Sequence, residues 1–287
     1  MLQKSTIQLL RFKFSYLLLP VYLFAIAMAD QINVQHAVII FLLLHLLLYP
    51  ASNGYNSYMD RDEGSIGGIE HPMKPTKQLY TVSVIMDITG LLLSLSVGLI
   101  FSALYFVYIV CSRLYSYRGV RLKQYAVTGY LTVIINQGAL TFYMIYYGSN
   151  AKQSYDVPIA CLIISALLIG AFYPITQVYQ HEQDAADGIY TISYKLGVRG
   201  TFIYCGLLYF TAFAILAWYL KSLGRLNYFF ILQLWFIPVI IYFLWWAWQC
   251  WKNAANANYK NTMRMNWLAA SCTNMAFLTI IFLKHFG

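Results

Sequence analysis

Residues 49–64 read YPASNGYNSYMDRDEG, and residues 173–188 read YPITQVYQHEQDAADG. Shifted by 124 positions, the two stretches agree in kind at nine of sixteen places and share the pattern Y-P-x-[ST]-[NQ]-x-Y-[NQ]-x-x-x-D-x-x-[DE]-G. Each copy closes a long apolar run. An acidic stretch repeated at the ends of two apolar runs is the clue to what the chain does.

The 287 residues are 60% hydrophobic and 10% charged, whereas soluble domains carry about 25% charged residues. Apolar runs of about twenty residues recur along the whole length, as transmembrane helices require. The expected fold is all-α: a polytopic membrane protein with nine transmembrane helices at residues 10–29, 35–59, 79–97, 99–116, 122–147, 156–181, 201–222, 227–251 and 264–285. The net charge of +9 lies in short loops between spans, which makes it a topology signal and excludes a nucleic-acid partner. With the N-terminus in the cytoplasm, only Lys152, Lys221, Arg225 and Lys284 of the 19 basic residues fall outside. That is the positive-inside bias. Both acidic stretches then end on the cytoplasmic side, at spans two and six. The repeat is direct and implies one domain over 1–287: two related four-helix halves, about 10–120 and 121–251, plus a ninth helix. The five cysteines form no metal-type spacing.

With Asn53 at the origin and 100° per residue, Tyr49, Asn56, Asp60 and Glu63 fall within about 80° on one side, and Asp62 falls opposite. Gln177, Tyr173, Gln180, Asp184 and Asp187 repeat that arc, and Gly64 and Gly188 are expected helix ends. Four carboxylates and two amides converging in one bundle repel unless a cation sits among them. Oxygen ligands without Cys or His suit Mg²⁺, which usually keeps waters and binds substrate phosphates. The expected metal ligands are Asp60, Asp184, Asn56, Gln180, Glu63 and Asp187, with Asp60, Asp184 and Asn56 the catalytic set. The loops that follow supply cations for a diphosphate: Lys74, Arg118, Lys123 and Lys195, with Asn53, Gln177 and Tyr179 as further substrate contacts.

A diphosphate head at the rim and an apolar space behind it describe an isoprenoid diphosphate. Metal and lysine would stabilise the leaving group, and aromatic walls the allylic cation. The expected partners are this donor, a hydrophobic acceptor and the bilayer; nothing calls for an obligate protein partner.

At this point the sequence resembles the UbiA superfamily of intramembrane prenyltransferases. The resemblance is strongest over NSYMDRDEG and its loop to Lys74–Pro75, then over QHEQDAADG and the following TISYKLG, and it includes YSYRGVRLK. It implies nine helices, Asp-rich motifs at the cytoplasmic ends of helices two and six, and Mg²⁺-bound prenyl diphosphate. The first family motif is usually N-D-x-x-D-x-x-x-D: Asn56 and Asp60 match, and Gly64 replaces the last Asp. The second is usually D-x-x-x-D: Gln180 replaces the first Asp and Asp184 matches the second. Glu63 and Asp187 are the expected stand-ins.

The expected reaction is Mg²⁺-dependent transfer of a prenyl group to an aromatic or lipid acceptor, at a site facing the cytoplasm of a bacterial inner or plasma membrane. The alternatives are a UbiA-type terpene cyclase using the same diphosphate site and, ranked below it, a cation transporter. Asp87 is expected inside the membrane, lining the cavity or acting as a base near the acceptor, or else at a helix end. His45 is expected as a hydrogen-bonded core histidine. Asn136 and Gln137 face substrate or a neighbouring helix.

Overall fold

The computed structural model describes residues 1–286, with side chains through Lys284. The long helices are α1 (Lys4–Met28), α2 (Val34–Asp60), α3 (Lys77–Ser94), α4 (Leu99–Ser116), α5 (126–149) and α6 (Ile159–Gln177). A short α7 (His181–Ala186) precedes α8 (Ile192–Ser222), α9 (Leu226–Lys252) and α10 (Tyr259–Lys284). Among the described residues, seven helices are long and apolar enough to cross a membrane; α3 and α5 are not among them. The chain is an integral membrane protein with an all-helical fold.

Several helices are deformed where their sequence dictates it. Pro50 lacks an N–H, and its ring would clash with the carbonyl four residues earlier. The turn before it, Leu43–Leu48, widens accordingly into a π-helix. Pro174 opens a 3-10 turn over Pro174–Gln177 that tightens the last turn of α6. In α5 the stretch Ile134–Leu140 is also π-helical. There Gly138 sits so close to α6 that a β-carbon would lie 2.7 Å from the Ala166 Cα and 2.8 Å from the Ser165 carbonyl. Only glycine permits that approach. Gly197 bends α8 with a φ of 64°, a left-handed conformation that glycine adopts without a steric penalty.

The two ends of the bundle differ. At one end, polar bonds knit the turns together: the Asn33 N–H donates to the Ser149 carbonyl at 2.8 Å, and Gln153 Nε2 to the Val97 carbonyl at 2.7 Å. Lys284 lies 3.4 Å from Asp30 there. At the other end meet the C-termini of α2, α4 and α6 and all of α7. Isolated parallel bridges, Tyr125 with Tyr190 and Ala126 with Thr191, tie the loop after α4 to the segment after α7. The core between the ends is aromatic: Phe24 packs on Phe142 and Phe277, with centroids 5.0 and 4.9 Å away. A satellite cluster of Leu9, Leu10, Ile66 and Leu79 fastens the start of α1 to the loop after α2.

Candidate active site

α2 presents Asn53, Asn56 and Asp60 to a cavity of about 310 Å³. The helix stops at Asp60. Arg61 turns left-handed (φ 56°, ψ 40°), and its N–H returns to the Ser57 carbonyl at 3.1 Å. Helical periodicity does not extend past residue 60, which corrects the expected placement of two acidic residues. Asp62, set on the far face by the 100° rule, lines the cavity, and Gln183 Nε2 donates to its Oδ1 at 3.1 Å. Glu63, set on the cavity-facing stripe, is exposed and outside the cavity wall. The helix also ends four residues before Gly64.

The second copy departs from one helix as well, through its 3-10 turn and the break before α7. Gln177, Tyr179, Gln180 and Asp184 still reach the cavity wall. Gln180 Nε2 donates to the Ser65 carbonyl at 3.0 Å and so clamps one acidic stretch to the other. Asp187 follows the end of α7. It is exposed, ion-paired with Arg121 and outside the cavity wall.

The expected cations separate likewise. In the loop after α4, Arg121 adopts a left-handed conformation (φ 47°) and a 3-10 turn over Leu122–Gln124 follows. This aims Lys123 inward, where it is buried and ion-paired with Asp60. Arg118 stays exposed; its Nε donates to the Met59 carbonyl at 2.7 Å and one Nη to the Asp60 carbonyl at 3.4 Å. It thus satisfies the open carbonyls at the C-terminus of α2, where a cation is favoured. Lys74 and Lys195 are exposed and off the cavity wall.

Sequence reasoning passed over Arg11 as one more topology charge. Its guanidinium lines the cavity, donates to the Asn53 and Gly67 carbonyls at 3.3 Å each, and sits 5.4 Å over the Phe14 ring. Those partners lie 42 and 56 positions away in sequence, so no local pattern could mark it.

Beyond the charged mouth, the wall turns apolar through Leu17, Val21, Phe24, Leu168, Phe236 and Phe277. Asn136, Gln137, Asn266 and Thr273 interrupt it, and Asn136 Nδ2 also donates to the Tyr108 carbonyl at 3.4 Å. Tyr115 and Tyr173, both on the wall, are hydrogen-bonded to each other. His45 is buried away from the cavity, with Nδ1 3.0 Å from the Phe41 carbonyl. Asp87 is likewise off the wall, ion-paired with Arg113, whose guanidinium lies 3.9 Å over the Tyr55 ring.

Three carboxylates (Asp60, Asp62, Asp184) share this wall with two cations (Lys123, Arg11). Burial, then the Asp60 charge, pushes Asp62 up to about 6 against the pull of Lys123 and Arg11. Burial pushes Asp184 up to about 7; Lys123 opposes this, and Asp62, Asp60 and Asp187 add to it. Asp60 Oδ1 is buried with no hydrogen-bond partner. The mouth thus holds more negative charge than its cations neutralise, and one free carboxylate oxygen. Among the described residues, no three Asp, Glu, His or Cys side chains cluster tightly enough to enclose a metal unaided. That donor set fits Mg²⁺, which one or two carboxylates usually hold with waters and substrate phosphates completing the shell.

The sequence profile of the UbiA prenyltransferase family matches residues 17–269. The chain belongs to this family. Comparison with curated proteins finds no match. Among solved structures, this UbiA-family chain is similar to a UbiA homologue from Archaeoglobus fulgidus bound to DMAPP and Mg²⁺: TM-score 0.73, 18% identity, covering 97% of this chain and 99% of that one. It is also similar to a digeranylgeranylglyceryl phosphate synthase (TM-score 0.60, 17% identity, 97% and 96% covered). A ligand-free UbiA homologue from Aeropyrum pernix K1 gives 0.69 at 14% identity, with 94% and 98% covered. These likenesses establish a UbiA-like fold over nearly the whole chain.

Proposed function

We propose that this UbiA-family protein transfers a prenyl group from an allylic isoprenoid diphosphate to an apolar acceptor, aromatic or lipid, within the membrane. The observation that carries this reading is one cavity with an acidic mouth, a buried lysine and a partly buried arginine, and an apolar body. Structures of the A. fulgidus homologue with DMAPP and with GPP, each with Mg²⁺, support it.

In this reading Asp60, Asp184 and Asn56 are the catalytic set. They hold Mg²⁺ together with Asp62 and Gln180, and bound Mg²⁺ would neutralise the departing diphosphate. Lys123 and Arg11 bind the diphosphate oxygens. Asn53, Gln177 and Tyr179 orient the donor at the point where the wall turns apolar. Lys74, Arg118, Lys195, Glu63 and Asp187, exposed and off the cavity wall, take no part at the reacting bond. The same proposal places the N-terminus and the site in the cytoplasm, takes α3 and α5 as two further crossings to complete nine, and derives the two acidic copies from duplicated halves.

The test is incubation of membranes containing the protein with Mg²⁺ and prenyl diphosphates of several lengths, followed by mass spectrometry of the lipids. Prenyl transfer yields a lipid heavier than an endogenous acceptor by one prenyl unit. A cyclic hydrocarbon or alcohol formed without acceptor contradicts transfer and makes the protein a cyclase.

A further inference from the structure

Gln183 lies on α7, 121 positions from Asp62, and its side chain bridges the two acidic stretches. Its Nε2 donates to Asp62 Oδ1 at 3.1 Å. An ionised carboxylate only accepts, so this bond fixes which way round the amide sits. The other amide atom, Oε1, lies against Gly64. A β-carbon on Gly64 would overlap Gln183 Oε1 and sit 3.1 Å from its Cδ. Any side chain at position 64 therefore pushes the amide aside, and an amide pushed aside loses Asp62.

Gln183 is half-buried and off the cavity wall, whereas Asp62 is on it. The amide thus acts on the cavity only through the carboxylate. Asp62 lies beyond the end of α2 at Asp60, so no helix geometry aims its side chain. Two glutamines from the second acidic stretch do that work on the loop. Gln180 Nε2 holds the main chain at the Ser65 carbonyl, 3.0 Å away, and Gln183 holds the carboxylate.

We propose that Gln183 is a positioning residue for the metal site: its amide, seated in the space that Gly64 leaves open, aims the Asp62 carboxylate at the cavity mouth. This rests on the reading of Asp62 as a Mg²⁺ ligand. Hydrogen bonds from outside the coordination shell orient ligating carboxylates in this way. The glycine that removes one carboxylate from the first acidic stretch makes room for the amide that orients another.

Gln183→Met keeps the side-chain length and removes the donor. Gly64→Ala keeps the donor and takes its seat; φ at Gly64 is not positive, so the backbone accepts alanine. Mg²⁺ is titrated into the wild-type protein and each variant in detergent at about pH 8, where carboxylates are ionised, and the thermal midpoint is read. Each single variant should raise the Mg²⁺ concentration that gives half the midpoint rise by about tenfold, towards the value for Asp62→Asn. Gly64→Ala/Gln183→Met should shift it no further than either alone, because both act through one amide. In the Asp62→Asn background, Gln183→Met should change it by less than about twofold. A merely structural role lowers the midpoint without Mg²⁺ and leaves that concentration where it was. A wild-type value in Gln183→Met beside a shifted Asp62→Asn, or effects of Gly64→Ala and Gln183→Met that multiply, overturns this proposal alone. A wild-type value in Asp62→Asn overturns the metal reading of Asp62 and this proposal with it. Should either single variant fail to fold, the other decides by the same comparison.

Discussion

The Lys123 ammonium is ion-paired with the Asp60 carboxylate, and the side chains of the two are only 9% and 4% exposed. They come from segments more than sixty positions apart, the loop after α4 and the end of α2. The pair leaves Asp60 Oδ1 free in a mouth that also contains Asp62 and Asp184. Buried ion pairs are costly to break from one side, because the remaining charge is stranded. Lys123→Met should therefore destabilise the metal-free protein by about 3–5 kcal/mol, seen as a lowered thermal midpoint in detergent. Asp60→Asn/Lys123→Met should recover most of that loss. An unchanged midpoint in Lys123→Met contradicts the pairing.

Arg11 reaches the site from the first helix, and its charge faces the space assigned to the diphosphate. Arg11→Gln should weaken binding of geranyl diphosphate by about tenfold to a hundredfold, the range of one charged hydrogen bond. Titration of the donor in the presence of Mg²⁺ checks this. Donor affinity unchanged in Arg11→Gln removes Arg11 from the site.

Asp62 and Glu63 are neighbours with opposite placements. Asp62→Asn should raise the Mg²⁺ concentration needed for half-maximal diphosphate release by about tenfold or more, as loss of a metal-adjacent carboxylate does. Glu63→Gln should leave it within about twofold, as surface changes do. The reverse order would restore the uninterrupted helix past residue 60.

Asp62 and Asp184 make stability depend on pH. Both carboxyls titrate at about 6 and about 7 in the folded protein, against an ordinary value of 3.8. The folded state binds these protons more tightly than the unfolded chain. Stability is therefore favoured at low pH and falls as pH rises from about 4 to about 7. Mg²⁺ relieves the repulsion only where the carboxylates are ionised. It should raise the thermal midpoint clearly at about pH 8 and little at about pH 5. A Mg²⁺ shift of equal size at both pH values contradicts this.

The Asp87–Arg113 pair lies outside the cavity and is structural. Arg113→Leu should cost about 3–5 kcal/mol by stranding Asp87, whereas Asp87→Leu/Arg113→Leu should be close to neutral. Thermal midpoints in detergent read both. Donor affinity should be unchanged in the double variant.

Much of this could be read from residues alone. The apolar runs define a helical membrane bundle, and the repeated stretch marks where its polar end lies, because carboxylates at the rims of apolar helices need a physical reason. Asn53, Asn56, Asp60, Gln177, Tyr179, Gln180, Asp184 and Lys123 all reach one cavity. What periodicity could not show is where it stops. Arg61, not a glycine, takes the left-handed position that ends α2, and Gly64 looked like the natural terminus. That four-residue difference exchanges Asp62 for Glu63. Pro174 and the break before α7 similarly put Asp187 off the wall. Arg11 and the Gln183–Asp62 contact were illegible for a different reason: each is assembled from segments distant in sequence, by packing that no local pattern encodes.

The central claim is that the acidic mouth activates an allylic diphosphate with Mg²⁺. Its most direct test is pyrophosphate release from geranyl diphosphate by purified wild-type, Asp60→Asn and Asp184→Asn proteins, with Mg²⁺ and with EDTA. The account predicts release that requires Mg²⁺ and falls by about a hundredfold or more in each variant. Release at the wild-type rate in both variants would contradict it.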